Sequence, residues 1–83
     1  MICYHVTSIK KLQKYLQTGY IKPPLRAWTQ ITSAERFSKQ TGRSIILRLK
    51  LPKCTPKLEG HRGEAVISNE PYPINRIFNQ GVA

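Results

Sequence analysis

The chain has 83 residues, and its 14 Lys and Arg against four Glu and no Asp give a net charge of +10. Its size and its 40% hydrophobic residues predict one small folded domain, residues 1–83. It has no run near the roughly 20 apolar residues of a membrane span and no signal-peptide pattern, so we expect a cytoplasmic protein without membrane contact. The charge favours a polyanionic partner, namely RNA, DNA, a ribonucleoprotein or an acidic protein.

The cysteines, histidines and carboxylates do not form known catalytic or metal-binding patterns. Cys3 and Cys54 are too few for a secreted disulfide framework, and Cys3 lies in an apolar run where burial is expected. No CxxC or HxxxH spacing is present, and the four Glu are too scattered to hold catalytic cations. The GxSxG, Walker and Rossmann motifs are also missing. We therefore expect neither a bound metal nor a hydrolytic triad.

The first twenty residues predict a strand followed by a helix. Residues 2–6 are a short apolar, β-prone run. Thr7 or Ser8 then caps a helix, because either hydroxyl can accept a bond from a free backbone N–H. The apolar face of this helix consists of Ile9, Leu12 and Leu16. Gly19 provides the usual stop at the end of a helix.

A second strand and helix follow two consecutive prolines. Residues 25–29 predict a short strand that carries the only tryptophan, Trp28. Thr32 and Glu35 match a capping box, in which the hydroxyl and the carboxylate satisfy each other's backbone N–H groups. This pattern predicts a helix that runs from Thr32 to about Thr41.

The second half of the chain contains the remaining strands. Residues 44–51 alternate in hydrophobicity and predict a strand, and the proline-containing segment 52–59 predicts a loop. Gly60 and Gly63 frame a tight polar loop before a strand at 65–67, and residues 74–78 predict a last strand. Because helices come early and strands late, we expect an α+β fold with a small mixed or antiparallel sheet and two helices.

Several segments, taken in order, resemble the ADP-ribosyltransferase fold. They are Tyr4–Ser8 before a helix, Arg26–Thr29 before a second helix with Ala34 and Phe37, the strand Ile46–Pro52, Glu64–Ile67, and Pro73–Ile77. The resemblance covers nearly the whole chain in short pieces. It implies a small, minimal version of that fold.

The resemblance implies that NAD is the ligand, as the substrate of ADP-ribosyl transfer. His5 would hydrogen-bond the adenosine ribose and the nicotinamide amide, and Trp28 would stack on the nicotinamide. Glu64 would bind the nicotinamide ribose and stabilise the oxocarbenium-like transition state. The pyrophosphate would be neutralised by Arg26, Arg48 and Arg62. These roles require His5, Trp28 and Glu64 to line one cleft.

The same resemblance suggests an acceptor and a biological setting. The acceptor would be a nucleic acid or a nucleic-acid-associated protein, and the size and charge suit a toxin or a phage or mobile-element effector. The expected nucleic-acid contacts are Lys10, Lys11, Lys14, Arg36 and Arg43. Glu64 is preferred over Glu70 as the catalytic acid, because Glu64 opens a strand whereas Glu70 precedes a proline.

A second hypothesis is a basic nucleic-acid-binding module or a metal-independent ribonuclease toxin. His5 and His61 would supply the general base and acid, since histidine titrates near neutral pH. Unpaired bases would stack on Tyr4, Tyr20, Trp28 and Tyr72. Purely structural roles also stay open: a hydrogen-bonded His5 at a strand end, Trp28 as a packing anchor, and Glu64 as either an exposed strand residue or a partner of Arg62.

Overall fold

The computed structural model describes residues 1–76, which form an α+β fold with two helices and a mostly antiparallel arrangement of strands. The strands are β1 (Ile2–Thr7), β2 (Tyr20–Ile21), β3 (Leu25–Trp28), β4 (Ile45–Lys50), β5 (Ala65–Ser68) and β6 (Tyr72–Pro73). The helices are α1 (Ile9–Thr18) and α2 (Ile31–Thr41), and a 3₁₀ turn covers Ile74–Arg76. Neither α1 nor α2 is long and apolar enough to cross a membrane.

The main sheet has the strand order β4-β1-β3-β5, and β2 pairs with β6 in a separate ribbon. β1 pairs with β4 along its whole length, but it pairs with β3 only where Tyr4 lies opposite Trp28. Past that pair, the carbonyl oxygen of Arg26 accepts a hydrogen bond from the ring of His5 at 2.7 Å. A side chain therefore occupies the junction between these two central strands.

Apolar side chains cover both faces of this sheet, because successive residues of a strand point to opposite sides. On one face a core cluster joins the sheet to the β2–β6 ribbon, and it includes Cys3, Leu25, Leu47 and Val66. On the other face, Val6 and Ile46 pack against Ala34 of α2. Cys3 is buried as expected, and burial raises the pKa of its thiol.

Both predicted caps of α1 are confirmed. The Ser8 hydroxyl accepts a bond from the Lys11 backbone N–H at 3.2 Å, and Gly19 ends the helix with a positive φ of 83°. The expected apolar face is only partly covered, because 63% of Leu16 is exposed. Tyr15 packs on the core at this end of the helix instead. Its phenol ring therefore points toward the sheet.

The predicted capping box at the start of α2 is wrong. The cap is Gln30, whose carbonyl oxygen accepts the first helical bond from Ala34 N–H at 3.2 Å, and its side chain makes no capping bond. The preceding residue, Thr29, is held by the chain next to β5, since its backbone N–H donates to the Glu64 carbonyl at 2.7 Å. This long-range contact starts the helix earlier, so Thr32 lies within its first turn and Glu35 is exposed.

The predicted last strand, residues 74–78, is also wrong where the structure describes it. Pairing occurs earlier, with Tyr72 opposite Ile21, and residues 74–76 form the 3₁₀ turn. The Tyr72 hydroxyl donates to the Arg76 carbonyl at 3.1 Å, which requires the chain to curl back. Residues 77 and 78, with the end of the resemblance segment, lie outside the described residues.

Candidate functional site

A cavity of about 660 Å³ opens where β1 and β3 separate. Five cations from α1, β3 and the connections before β3 and β4 line it, namely Lys11, Lys14, Lys22, Arg26 and Arg43. Its rings come from His5, Tyr15, Trp28, Phe37 and His61. No carboxylate from the described part of the chain lines it. We call this cavity the basic cleft.

The charge and the size of the basic cleft together favour a small anionic ligand. A concave surface lined by charges of one sign concentrates counter-ions, because its low-dielectric walls focus the field. Its volume lies within the range of roughly 300–1,000 Å³ that is typical of small-molecule sites. Aromatic rings among the cations add surfaces on which a flat heterocycle can stack.

Beside the basic cleft, His5 and Tyr15 form a short hydrogen-bonded chain. His5 Nδ1 lies 2.7 Å from the Arg26 carbonyl oxygen, and His5 Nε2 lies 3.2 Å from the Tyr15 hydroxyl. The Thr7 hydroxyl in turn donates to the Tyr15 oxygen at 3.5 Å. Both ring nitrogens of His5 are therefore occupied by groups of the protein itself.

The surroundings of His5 favour its neutral form. Burial is the main cause that lowers its pKa below the ordinary value of 6.5, and the positive charges of Lys11 and Arg43 lower it further. The hydrogen bond to the Arg26 carbonyl acts in the opposite direction. At neutral pH His5 is thus an uncharged ring with one donor and one acceptor nitrogen.

A second, smaller cavity of about 260 Å³ adjoins the basic cleft. The polar side chains that line it are Ser33, Arg36, Gln40, Arg62 and Glu64. Trp28, Phe37 and His61 line both cavities, and the Trp28 ring lies 5.6 Å from Phe37 and 5.5 Å from His61. We call this cavity the carboxylate pocket, because it contains Glu64.

The loop before β5 holds Glu64 against α2. Gly60, Arg62 and Gly63 all have positive φ, which fits the tight turn expected from the two glycines. The Glu64 carboxylate accepts a hydrogen bond of 2.8 Å from the hydroxyl of Ser33, a buried residue of α2. Its hydrogen-bond partner is thus Ser33, from another element, rather than its neighbour Arg62.

The structure brings part of the expected site together. The basic cleft contains His5, Trp28, Arg26, Lys11, Lys14 and Arg43. The carboxylate pocket contains Glu64, Arg36 and Arg62. Glu64 therefore does not line the cavity that contains His5, so these three residues do not line one common cavity, although Trp28 lines both.

The other candidates lie outside both cavities. Arg48 is exposed on β4 and Lys10 is exposed on α1, so neither is placed to contact a ligand in the basic cleft. Glu70 is exposed after β5 and lines neither cavity. Between the two candidate acids, the geometry thus favours Glu64.

Sequence reasoning missed Tyr15, Lys22, Ser33 and Phe37 as site residues. Tyr15 had a detectable signal, since it follows Leu12 at helical spacing and a phenol near a core needs a polar partner. Ser33 was hidden because it lay inside the presumed capping box. Lys22 carried no local signal that separates it from the other lysines.

Comparisons of the chain with protein families, curated proteins and solved structures find no significant match. Within residues 1–76, no three His, Cys, Asp or Glu side chains group in a way that could hold a metal ion.

Proposed function

We propose that the basic cleft binds NAD and that the protein is an ADP-ribosyltransferase-like enzyme acting on a nucleic acid or a nucleic-acid-associated protein. One observation carries the proposal. His5 and Trp28 line a cavity rich in cations, and Glu64 lies in a second cavity that Trp28 also lines. These are the three residues to which the family resemblance assigns the binding of NAD and the catalytic carboxylate.

The side chains of the basic cleft suit the chemistry of NAD. The pyrophosphate carries two negative charges, and the guanidinium groups of Arg26 and Arg43 can each form paired hydrogen bonds to phosphate oxygens. The flat rings of the dinucleotide can stack on Trp28 and Phe37. Arg43 takes the place of Arg48 in this assignment, because Arg43 lines the cleft.

The proposed reaction breaks the bond between the ribose C1′ and the nicotinamide nitrogen. The bonding electron pair leaves with nicotinamide, and positive charge develops on the ribose. A carboxylate near that ribose stabilises the charge, which is the role we assign to Glu64. A nucleophilic oxygen or nitrogen of the acceptor then bonds to C1′ and loses its proton. For this to occur, the reacting ribose must lie beside Trp28, at the boundary of the two cavities.

The charge distribution favours a nucleic acid as the acceptor or as part of it. Five cations line the basic cleft, which exceeds the two charges of a pyrophosphate. Arg36 and Arg62 add two more cations around Glu64. Phosphates of a nucleic-acid strand would neutralise this excess, and such contacts fall steeply with salt. This composition is consistent with a toxin or a mobile-element effector.

The second candidate, a ribonuclease that uses His5 and His61, has one supporting observation, because both histidines line the basic cleft. However, His5 would have to give up its bond with Tyr15 before its Nε2 could accept a proton from RNA. We therefore rank this activity second. A basic nucleic-acid-binding module is the function that would remain if neither reaction occurs.

The proposal is tested by nicotinamide release from NAD in the presence of RNA or DNA. We expect Glu64→Gln to lower the rate by about 100-fold, the usual scale for loss of an electrostatic catalyst. Glu70→Gln is the matched control, because it removes the same charge outside both cavities, and it should react like the wild type. Equal rates for the wild type and Glu64→Gln would contradict the proposal. RNA cleavage that is lost in both His5→Ala and His61→Ala would favour the ribonuclease.

A further inference from the structure

The hydrogen-bonded chain through His5 has a direction that the atom types determine. The carbonyl oxygen of Arg26 can only accept, so His5 Nδ1 must carry the proton of the 2.7 Å bond. In a neutral imidazole the other nitrogen is then an acceptor. Because the pKa of His5 is lowered, this neutral form prevails at neutral pH. His5 Nε2 therefore accepts, and the Tyr15 hydroxyl donates to it.

This direction leaves the oxygen of Tyr15 as an acceptor. Its only proton is engaged by His5 at 3.2 Å, and the Thr7 hydroxyl donates toward the same oxygen at the longer distance of 3.5 Å. A phenol oxygen can accept a further hydrogen bond when its proton is already committed. Tyr15 lines the basic cleft, so its side chain adjoins the space that a ligand would fill.

We infer that Tyr15 is a specificity-determining residue, whose oxygen accepts a hydrogen bond from a hydroxyl or N–H group of the ligand in the basic cleft. The inference rests on the proposed function, because it concerns the same cleft and the same class of ligand. It also changes one assignment that followed from the resemblance. Tyr15 contacts the ligand, and His5 is a positioning residue that fixes the direction of the Tyr15 hydroxyl.

The charges around Tyr15 make its acceptor informative about the ligand. Lysine and arginine side chains can only donate hydrogen bonds, so the five cations of the basic cleft recognise oxygen acceptors such as phosphates. A ligand that satisfies both kinds of group is an anion that also carries a donor. Nucleotides with a ribose hydroxyl or a carboxamide have this chemistry, whereas sulfate offers acceptors alone.

The test compares two ligands and two tyrosine variants. Binding of ADP-ribose and of sulfate is measured by calorimetry at pH 8 for the wild type, Tyr15→Phe and Tyr20→Phe. Tyr20 is the matched control, because it is exposed and lines neither cavity. We expect Tyr15→Phe to weaken ADP-ribose binding about tenfold, since a hydrogen bond in a desolvated site is lost. Sulfate binding should stay the same in all three proteins.

A second readout needs no ligand. The ¹⁵N chemical shifts of the imidazole ring report which nitrogen carries the proton, and we expect the Nδ1–H form for His5 in the wild type. An Nε2–H form would overturn the inference, because Tyr15 would then accept from His5 instead of donating to it. Unchanged ADP-ribose binding in Tyr15→Phe would overturn it as well. So would an equal loss for ADP-ribose and sulfate, which would indicate a general distortion of the cleft.

The two proposals can fail separately. Tyrosine-dependent binding of ADP-ribose without any Glu64-dependent release of nicotinamide would overturn the enzyme and leave the Tyr15 inference standing. Nicotinamide release that depends on Glu64, together with ADP-ribose binding that is unchanged in Tyr15→Phe, would overturn the Tyr15 inference and leave the enzyme standing. A wild-type protein that binds neither NAD nor ADP-ribose would overturn both.

Discussion

The basic cleft and the carboxylate pocket share three rings but differ in charge. No carboxylate of residues 1–76 lines the basic cleft, which has five cations, whereas the smaller pocket holds Glu64 between Arg36 and Arg62. Their buried polar partners differ too. Tyr15 and His5 satisfy each other beside the cleft, and Ser33 holds the carboxylate in the pocket.

This difference suggests a division of work between the two cavities, in which one binds the ligand and the other promotes the transfer reaction. A cavity of uniform positive charge binds an anion but offers nothing to stabilise a developing cation. The neighbouring carboxylate can do that, and it lies in a different cavity from the five cations that we propose to bind phosphate. We therefore expect changes in the basic cleft to alter binding and changes in the carboxylate pocket to alter the rate of transfer.

Removal of the Trp28 ring, which lines both cavities, should have the largest effect. Trp28→Ala deletes the ring that packs on Phe37 and His61, and we expect it to lower the free energy of unfolding by about 2–3 kcal/mol, less than for a fully buried ring. It should also weaken NAD binding more than tenfold. Urea unfolding and calorimetry measure the two effects, and Trp28→Phe should retain most of both. Wild-type NAD affinity in Trp28→Ala would show that the ring is not part of the site.

The cations of the cleft provide the next test. The double substitution Lys11→Gln and Lys14→Gln should weaken NAD binding about tenfold and make it less sensitive to salt, because two charges that face the ligand are lost. Lys50→Gln with Lys53→Gln removes the same charge at exposed positions outside both cavities. Calorimetry at two salt concentrations measures both pairs. An equal loss in the control pair would mean that affinity follows net charge and not the cleft.

Ser33 tests the carboxylate pocket alone. Ser33→Ala removes the donor to Glu64 and should lower the free energy of unfolding by about 1 kcal/mol. The rate of nicotinamide release should fall by about tenfold while NAD affinity stays the same, because the carboxylate loses its orientation. Ser44→Ala changes an exposed serine and is the control. A loss of affinity without a loss of rate would contradict the proposed division of work.

The smallest expected effect is a pH dependence of stability from His5. Its pKa is lowered in the folded protein, mainly by burial, so the unfolded chain takes up the proton first as the pH falls. The free energy of unfolding should therefore be fully retained above the ordinary histidine pKa of 6.5 and should decrease below it. Urea unfolding between pH 7.5 and 5.5 measures this slope. His5→Gln should flatten it, and a slope that disappears in His61→Gln instead would assign it to the exposed histidine.

Local sequence signals predicted much of this fold. The β-prone runs became β1, β3, β4 and β5. As expected, Ser8 caps the start of α1 and Gly19 caps its end. The errors arose where contacts with residues distant in sequence determine the start of a helix or the position of a strand. Thr29 is tied to Glu64, 35 residues away, and this bond moves the start of α2. The pairing of Tyr72 with Ile21 likewise shifts the last strand.

Some residues of the two cavities were predictable from the sequence, but their arrangement was not. Trp28 stood out as the only tryptophan, and Glu64 as a carboxylate at the start of a strand. Glu64 and His5 line different cavities, and Glu64 is placed by the loop before β5, where Arg62 adopts a positive φ that its residue type does not favour. The partnership of Tyr15 with His5 depends on how α1 rotates against the sheet. Neither feature is encoded in a short stretch of sequence.

Fluorescence of Trp28 during an NAD titration tests directly whether NAD binds in the basic cleft, because the chain contains one tryptophan and it lines both cavities. We expect NAD to quench the Trp28 fluorescence of the wild type in a saturable way at millimolar concentrations or below. Glu64→Gln should give nearly the same curve, and the Lys11 and Lys14 double variant should require about tenfold more NAD. An unchanged Trp28 signal across the titration, together with salt-sensitive binding of RNA, would contradict the proposal that the basic cleft binds NAD.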